Sequence, residues 1–215
     1  SGEVLFSTFA EEHANLTLPD GTKVTMNSNS SLTYSPKDFN RDERCVDFNG
    51  EAYFNVAKNK SVPFVITTKD LTVRVLGTKF NLHAYAGNET MEVTLEEGEI
   101  LVSSRKEEKK LLPNQKAVLN CQDGSILVLE EKRPEDASVW KNNELVFIDE
   151  QLENVIVALE ENYNISIHIK GLNIDSDLFT GKVPSNDLLN ALEILKYSYH
   201  MDYRVDAKDI YFSKK

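Results

Sequence analysis

Apolar and polar side chains alternate with a period of two through most of residues 16 to 131, the signature of strands with one buried face. "LPDGTKVTMN" opens with a Pro-Asp-Gly turn and then alternates. "CVDFNGEAYFNVA" contains Asn49-Gly50, a strong tight-turn dipeptide, and is expected to give one strand on each side of it. In the second of these, Ala52, Phe54 and Val56 share a face, as side chains two apart must. Pro63, in "VPFVITT", belongs at a strand start or an edge because it cannot donate to a ladder.

The alternation breaks twice, each time at a glycine. In "LTVRVLGTKFNLHAY", residues 71–85, the apolar set before Gly77 is Leu71, Val73 and Val75, at odd positions. After it the set is Phe80, Leu82 and Ala84, at even positions. Met91, Val93 and Leu95 give way in the same manner to Ile100 and Val102 across Gly98. A slip of one residue throws a whole strand to the wrong face. A bulge or sharp bend at each glycine absorbs the slip and keeps both halves on one core. Such strands suit a sheet that wraps round itself, so the expected fold is a mainly β domain: a curved sandwich, a barrel or a solenoid-like form. "RKEEKK", residues 105–110, reads as a solvated hairpin tip.

The charged stretch "EEKRPEDASVWKNNE", residues 130–144, interrupts the pattern, and Pro134 marks it as a linker. Beyond it the order is strand, helix, strand, strand, helix, strand, strand. "ELVFI" is the first strand. Asp149 is the expected N-cap of a helix carrying Leu152, Val155, Ile156 and Leu159 on one stripe. "NISIHIK" alternates Ile165, Ile167 and Ile169, and "LFTGKV" is a short strand. Ser185 is expected to cap a second helix with Leu188, Leu189, Leu192 and Leu195 on its buried face. "DYRVD" and "DIYFS" close as a hairpin around Ala207-Lys208. These residues predict a mainly β domain at 1–135, a linker at 136–143, and a small α/β (βαβ-βαββ) domain at 144–215.

A net charge of −11 repels phosphate backbones and anionic lipid, so neither nucleic acid nor a membrane surface is an expected partner. No window approaches the roughly 18 consecutive apolar residues of a spanning helix. The chain starts Ser1-Gly2 without methionine, as tag-cleavage scars do, so a preceding segment, a membrane anchor included, is expected to be missing. Cys45 and Cys121 are too few for a disulfide scaffold or a four-ligand zinc site; a bond between them and two separate thiols both stay open.

Candidate chemistry is sparse. None of His13, His83, His168 and His200 lies within four residues of another, so no local ligand pair exists and surface or structural roles are expected. Glu96, Glu97 and Glu99 crowd round Gly98, where a solvated turn is favoured over a calcium or acid/base site. Glu51 has no identifiable partner carboxylate or histidine and reads as structural; Thr78 is expected to bond the bent backbone locally. No catalytic residue, metal ligand or cofactor is expected, and the chain does not read as an enzyme.

Five ordered blocks carry a family resemblance: "LPDGTKVTMNSNSSLTY", "GEAYFNVAKNKSVPFVI", "LTVRVLGTKFNLHAY", "VTLEEGEILV" and "LLPNQKAV". Together they cover most of residues 16 to 120 and resemble the extracytoplasmic part of FecR-type anti-sigma regulators. The second half, from "LVFIDEQLENVIVALEENYNISIHI" to "IYFS", is similar to the small domain that follows FecR domains, itself akin to the signalling domain of TonB-dependent transporters and secretins. The resemblance implies a periplasmic sensor on an inner-membrane protein. Its partners would be the signalling domain of an outer-membrane TonB-dependent transporter and, through a cytoplasmic region outside this chain, a sigma factor.

For partner contact, the candidates are Leu145 and Phe147 on "ELVFI" and Tyr211 and Phe212 on "DIYFS", because terminal strands often lie at sheet edges and edges accept a partner strand. Trp140, beside the domain junction, is expected to pack one domain on the other or to anchor an interface. Two competing functions stand beside the sensor reading. One is a carbohydrate- or small-ligand-binding β domain, although Tyr53, Phe54, Phe64, Phe80 and Tyr85 are expected mostly inside the core. The other is a self-assembling scaffold unit.

Overall fold

The computed structural model describes residues 2–172, 174 and 176–214. The chain divides into two compact units, residues 1–141 and 142–215. Among the described residues, thirteen strands build the first: β1 (Val4–Ser7), β2 (Ala14–Thr17), β3 (Lys23–Met26), β4 (Ser31–Tyr34), β5 (Arg44–Asn55), β6 (Phe64–Thr67), β7 (Thr72–Val75), β8 (Lys79–Ala84), β9 (Thr90–Glu97), β10 (Ile100–Ser103), β11 (Glu108–Leu111), β12 (Gln115–Asn120) and β13 (Ile126–Glu130). They form one sheet along the path β11-β10-β7-β6-β5-β8-β9-β12-β13. It curls until β11 returns beside β12 and β13, a nearly closed, barrel-like wall.

The hub is β5, and it corrects an expectation. Asn49-Gly50 is not a turn; the strand runs unbroken through it from Arg44 to Asn55. The physical reason is parity: Val46 and Phe48 before the dipeptide, and Ala52 and Phe54 after it, all sit at even positions and all are buried. The first half of β5 pairs with β4 and β6, the second with β3 and β8. Gly50 stands at the crossover with φ +125°, and a Cβ there would lie 2.1 Å from Ser30 Oγ. The glycine is required by a close approach, not by a hairpin.

The two parity flips behave as expected. β7 and β8 occupy different parts of the sheet, yet Val73, Val75, Phe80, Leu82 and Ala84 all enter one core, as do Met91, Val93, Leu95, Ile100 and Val102 across Gly98. Thr78 bonds a bent backbone, but a distant one: its hydroxyl donates to the Glu99 carbonyl at 3.3 Å. In the core, Phe54 stacks on Phe80 at 5.3 Å and meets Phe48 edge-on at 5.5 Å. Tyr53 points outward instead, because it falls at an odd position of β5, and Tyr85, just past the end of β8, lies outside that core. The hairpin tip after β10 is docked: Arg105 donates to the carbonyls of Cys121 and Gln122, and Glu107 accepts the Ile126 N–H.

The second unit contains β14 (Glu144–Gln151), α1 (Leu152–Tyr163), β15 (Ser166–Lys170), β16 (Leu178–Pro184), α2 (Leu188–Tyr199), β17 (Met201–Asp206) and β18 (Asp209–Lys214). β14 pairs with β16; β15, β18 and β17 form a second sheet in that order. Both helices bury their apolar stripes in one core with Ile210 and Phe212. Three local expectations are corrected. Asp149 does not cap α1: it sits at φ +48° in a bulge of β14, its carboxylate accepting the Thr180 hydroxyl at 3.0 Å. α2 is capped by Asp187, which accepts the Asn190 N–H at 3.1 Å, rather than by Ser185. Leu189 is 65% exposed, and Ala191 takes its place on the buried stripe.

Candidate partner-binding surfaces

The stretch expected as a linker is ordered. Residues Pro134–Asn142 form a 3-10 helix whose side chains bond to the outer face of the β unit. The buried Ser138 donates to Glu96 at 3.2 Å, and Trp140 Nε1 donates to Asn81 Oδ1 at 3.2 Å. The Trp140 ring also meets His13 edge-on at 5.6 Å. Lys141 lies 3.7 Å over the Tyr53 ring and donates to Ser138 at 2.9 Å; burial holds its ammonium below the usual lysine range. These contacts are polar, and none of the strap's side chains joins the apolar core.

The strap rests on a connected polar layer. Glu51 accepts from Asn27 at 2.9 Å and from Asn81 at 3.0 Å, and so bridges the turn after β3 to β8 from β5. Tyr53 donates to Glu96 at 2.8 Å; burial first, and this carboxylate second, push its phenol well above the ordinary tyrosine range. Tyr85 donates to the Ser28 carbonyl at 2.7 Å. Glu97 pairs with Lys79 at 2.8 Å and Glu99 with Lys110 at 2.7 Å. The three glutamates round Gly98 are thus engaged separately, and among the described residues no group of three His, Cys, Asp or Glu is arranged to hold a metal ion. Cys45 and Cys121 are free thiols.

In the second unit the contact candidates separate. "DIYFS" is not an edge: β18 is the middle strand, parallel to β15 and antiparallel to β17. It has no free edge to offer a partner strand. Phe212 is 2% exposed and belongs to the core, so its side chain cannot meet a partner. Leu145 and Phe147 are partly buried against the same core, Phe147 edge-on to Phe179 at 5.9 Å. β14 does lie at an edge, with β16 its only pairing among the described residues.

Tyr211 is different. It faces outward between His168 and Arg204, its direct neighbours on the flanking strands. His168 stacks on the ring at 4.8 Å and 20°, and the Arg204 guanidinium lies 4.1 Å from its centroid. His168 Nε2 is held by Asp209 Oδ1 at 2.8 Å. A groove of about 400 Å³ runs along this row, lined also by Lys170, Asp202 and Ser213. Tyr211 thus stands on a middle strand rather than at the expected sheet edge, with His168 and Arg204 beside it. The usable signal was alternation: Ser166, His168 and Lys170 leave the polar face of β15 open, and "DYRVD" does the same.

The model of the family described as "FecR protein" matches residues 5–101, and that of "FecR, C-terminal" matches residues 144–212. Two crystal structures, at 2.50 and 1.65 Å resolution, of a candidate anti-sigma factor from Parabacteroides distasonis ATCC 8503 each share 32% identity with this chain. Each match covers 99% of both chains with a TM-score of 0.67. The comparison with curated proteins returns no match.

Proposed function

This chain belongs to the FecR family of anti-sigma regulators, and from that premise we propose that it is the periplasmic sensor of a membrane-anchored regulator. Its second unit binds the signalling domain of an outer-membrane TonB-dependent transporter. The signal then passes to a sigma factor held by a cytoplasmic region outside this chain. The β unit is the scaffold that carries the sensor.

The observation that supports this reading is the second unit itself. Residues 144–212 match the family's C-terminal model and fold as their own α/β module. Among the described residues no element of that unit covers the outer face of its three-stranded sheet, where Ser166, His168, Lys170, Asp202, Arg204, Asp206 and Ser213 are exposed. A binding role accounts for a site built of stacking and charge.

Titration calorimetry of the chain against the isolated signalling domains of TonB-dependent transporters encoded beside its gene tests the reading. Saturable one-to-one binding is expected. Absence of binding to all of them, with a thermal shift on adding a glycan instead, contradicts it.

A further inference from the structure

We propose that the strap is a latch: its second half, residues 138–142, detaches from the β unit as a step in signalling when a partner engages the second unit. The proposal rests on the sensor reading above and supplies a moving part for it.

The latch lies in series between two firmly tied ends. At one end the Glu131 N–H donates to the Asn114 carbonyl at 2.7 Å, next to the Gln115 and Glu130 pair of the β12-β13 ladder, and Pro134 is buried. At the other end the Asn143 carbonyl accepts the Ser185 N–H at 2.8 Å, and β14 begins at Glu144. Among the described residues, no backbone hydrogen bond joins residues 134–142 to a strand. A load on the second unit reaches the β unit along this segment, because the chain is continuous. Contacts in series yield where they are weakest, and here that is a set of side-chain bonds rather than a strand ladder.

The fastening converges on one carboxylate and one amide. Glu96 accepts from Tyr53 at 2.8 Å and from Ser138 at 3.2 Å, and the Ser138 hydroxyl accepts from Lys141 at 2.9 Å. Asn81 accepts from Trp140 and sits directly opposite Tyr53 on the neighbouring strand. It faces away from the core and is still only 4% exposed, beneath the strap.

The surface under the latch is built to be uncovered. Its groups are polar, so lifting the strap exchanges side-chain hydrogen bonds for bonds to water, a nearly balanced exchange. Opening a strand instead would expose Phe54, Phe80 or Leu95 from the core, at the full cost of apolar hydration. The bonds left behind are also sound. Asn81 keeps its bond to Glu51 at 3.0 Å, and Tyr53 keeps Glu96. The β unit therefore stays folded with the latch open. Once free, residues 138–142 reach about 17 Å when extended, slack that the docked strap does not allow.

Hydrogen exchange of the full chain tests this, following the amides of residues 135–143 beside those of β5 and β8. In the free protein the strap is expected to exchange about 100-fold faster than β5, through local opening. Ser138→Ala removes the hydroxyl between Glu96 and Lys141, and Trp140→Phe removes the N–H that Asn81 accepts. Each is expected to speed strap exchange about 5-fold, the scale of one lost hydrogen bond, and to leave β5 and β8 unchanged. Saturation with the signalling domain of an adjacent transporter is expected to speed strap exchange about 10-fold or more, the scale of a typical coupling between sites. Strap exchange at the β5 rate in the free protein overturns the latch whether or not a partner binds. Binding that leaves strap exchange unchanged, or slows it, overturns the latch and leaves the sensor reading standing. If no domain binds, the sensor reading falls and the coupling falls with it.

Discussion

A Cβ on Gly98 would lie 2.9 Å from the backbone carbonyl oxygen of Gly77, so the two bends that re-aim the sheet touch each other. Both glycines hold φ values that side chains rarely adopt, +97° and +155°. Gly98→Ala is therefore expected to cost about 2 kcal/mol or more, from left-handed strain and the displaced carbonyl together. A urea melt gives the number. Wild-type stability in the variant would mean that the bends are independent.

The strap carries the only tryptophan, which makes its attachment observable. Held by polar contacts at the margin of the β unit, it is expected to release before the core unfolds. Tryptophan emission should shift red at lower urea than the loss of far-ultraviolet circular dichroism. Asn81→Leu should move the first transition further down and leave the second nearly in place. Coincident transitions for both probes would show that the strap is part of the cooperative core.

Arg44 is fully buried and meets Asp20 at 2.8 Å, with further bonds to the carbonyls of Val62 and Ala57. Among the described residues its Nη2 has no hydrogen-bond partner. Asp20→Ala leaves that cation in the interior without its carboxylate, for an expected loss of about 3–5 kcal/mol. Replacing both residues by apolar ones should recover much of it. A double-mutant cycle on denaturant midpoints checks both statements.

Tyr53 sets an alkaline limit. Burial and the Glu96 hydrogen bond raise its folded-state pKa, so the neutral phenol is favoured in the native protein. That contribution is complete below the unfolded tyrosine value of about 10 and is lost as pH climbs above it. Between pH 8 and 11 the melting temperature should fall further in wild type than in Tyr53→Phe. Parallel curves would assign the alkaline loss elsewhere.

Asp187, and not Ser185, caps α2. Asp187→Ala is expected to cost about 1 kcal/mol, as lost caps do, and Ser185→Ala much less. Thermal melts of the two variants decide between the positions.

Parity made most of the β unit legible. The flips at Gly77 and Gly98 revealed two bends, and continued even parity through Asn49-Gly50 argued for one long strand more strongly than the dipeptide argued for a turn. What stayed hidden is non-local. The strap looked like a linker because Asn81 and Glu96, which hold it, are 59 and 42 residues away. The His168–Tyr211–Arg204 row was invisible because β15 enters beside β18 in parallel, a pairing across three intervening elements that no local pattern encodes. That insertion is also why the last strand lies inside its sheet.

Hydrogen exchange of the full chain, alone and saturated with the adjacent transporter's signalling domain, tests the central claim most directly. The account predicts new protection within residues 144–212, with strands of the β unit unchanged. Protection confined to residues 1–141 would contradict it and move the sensor surface to the β unit.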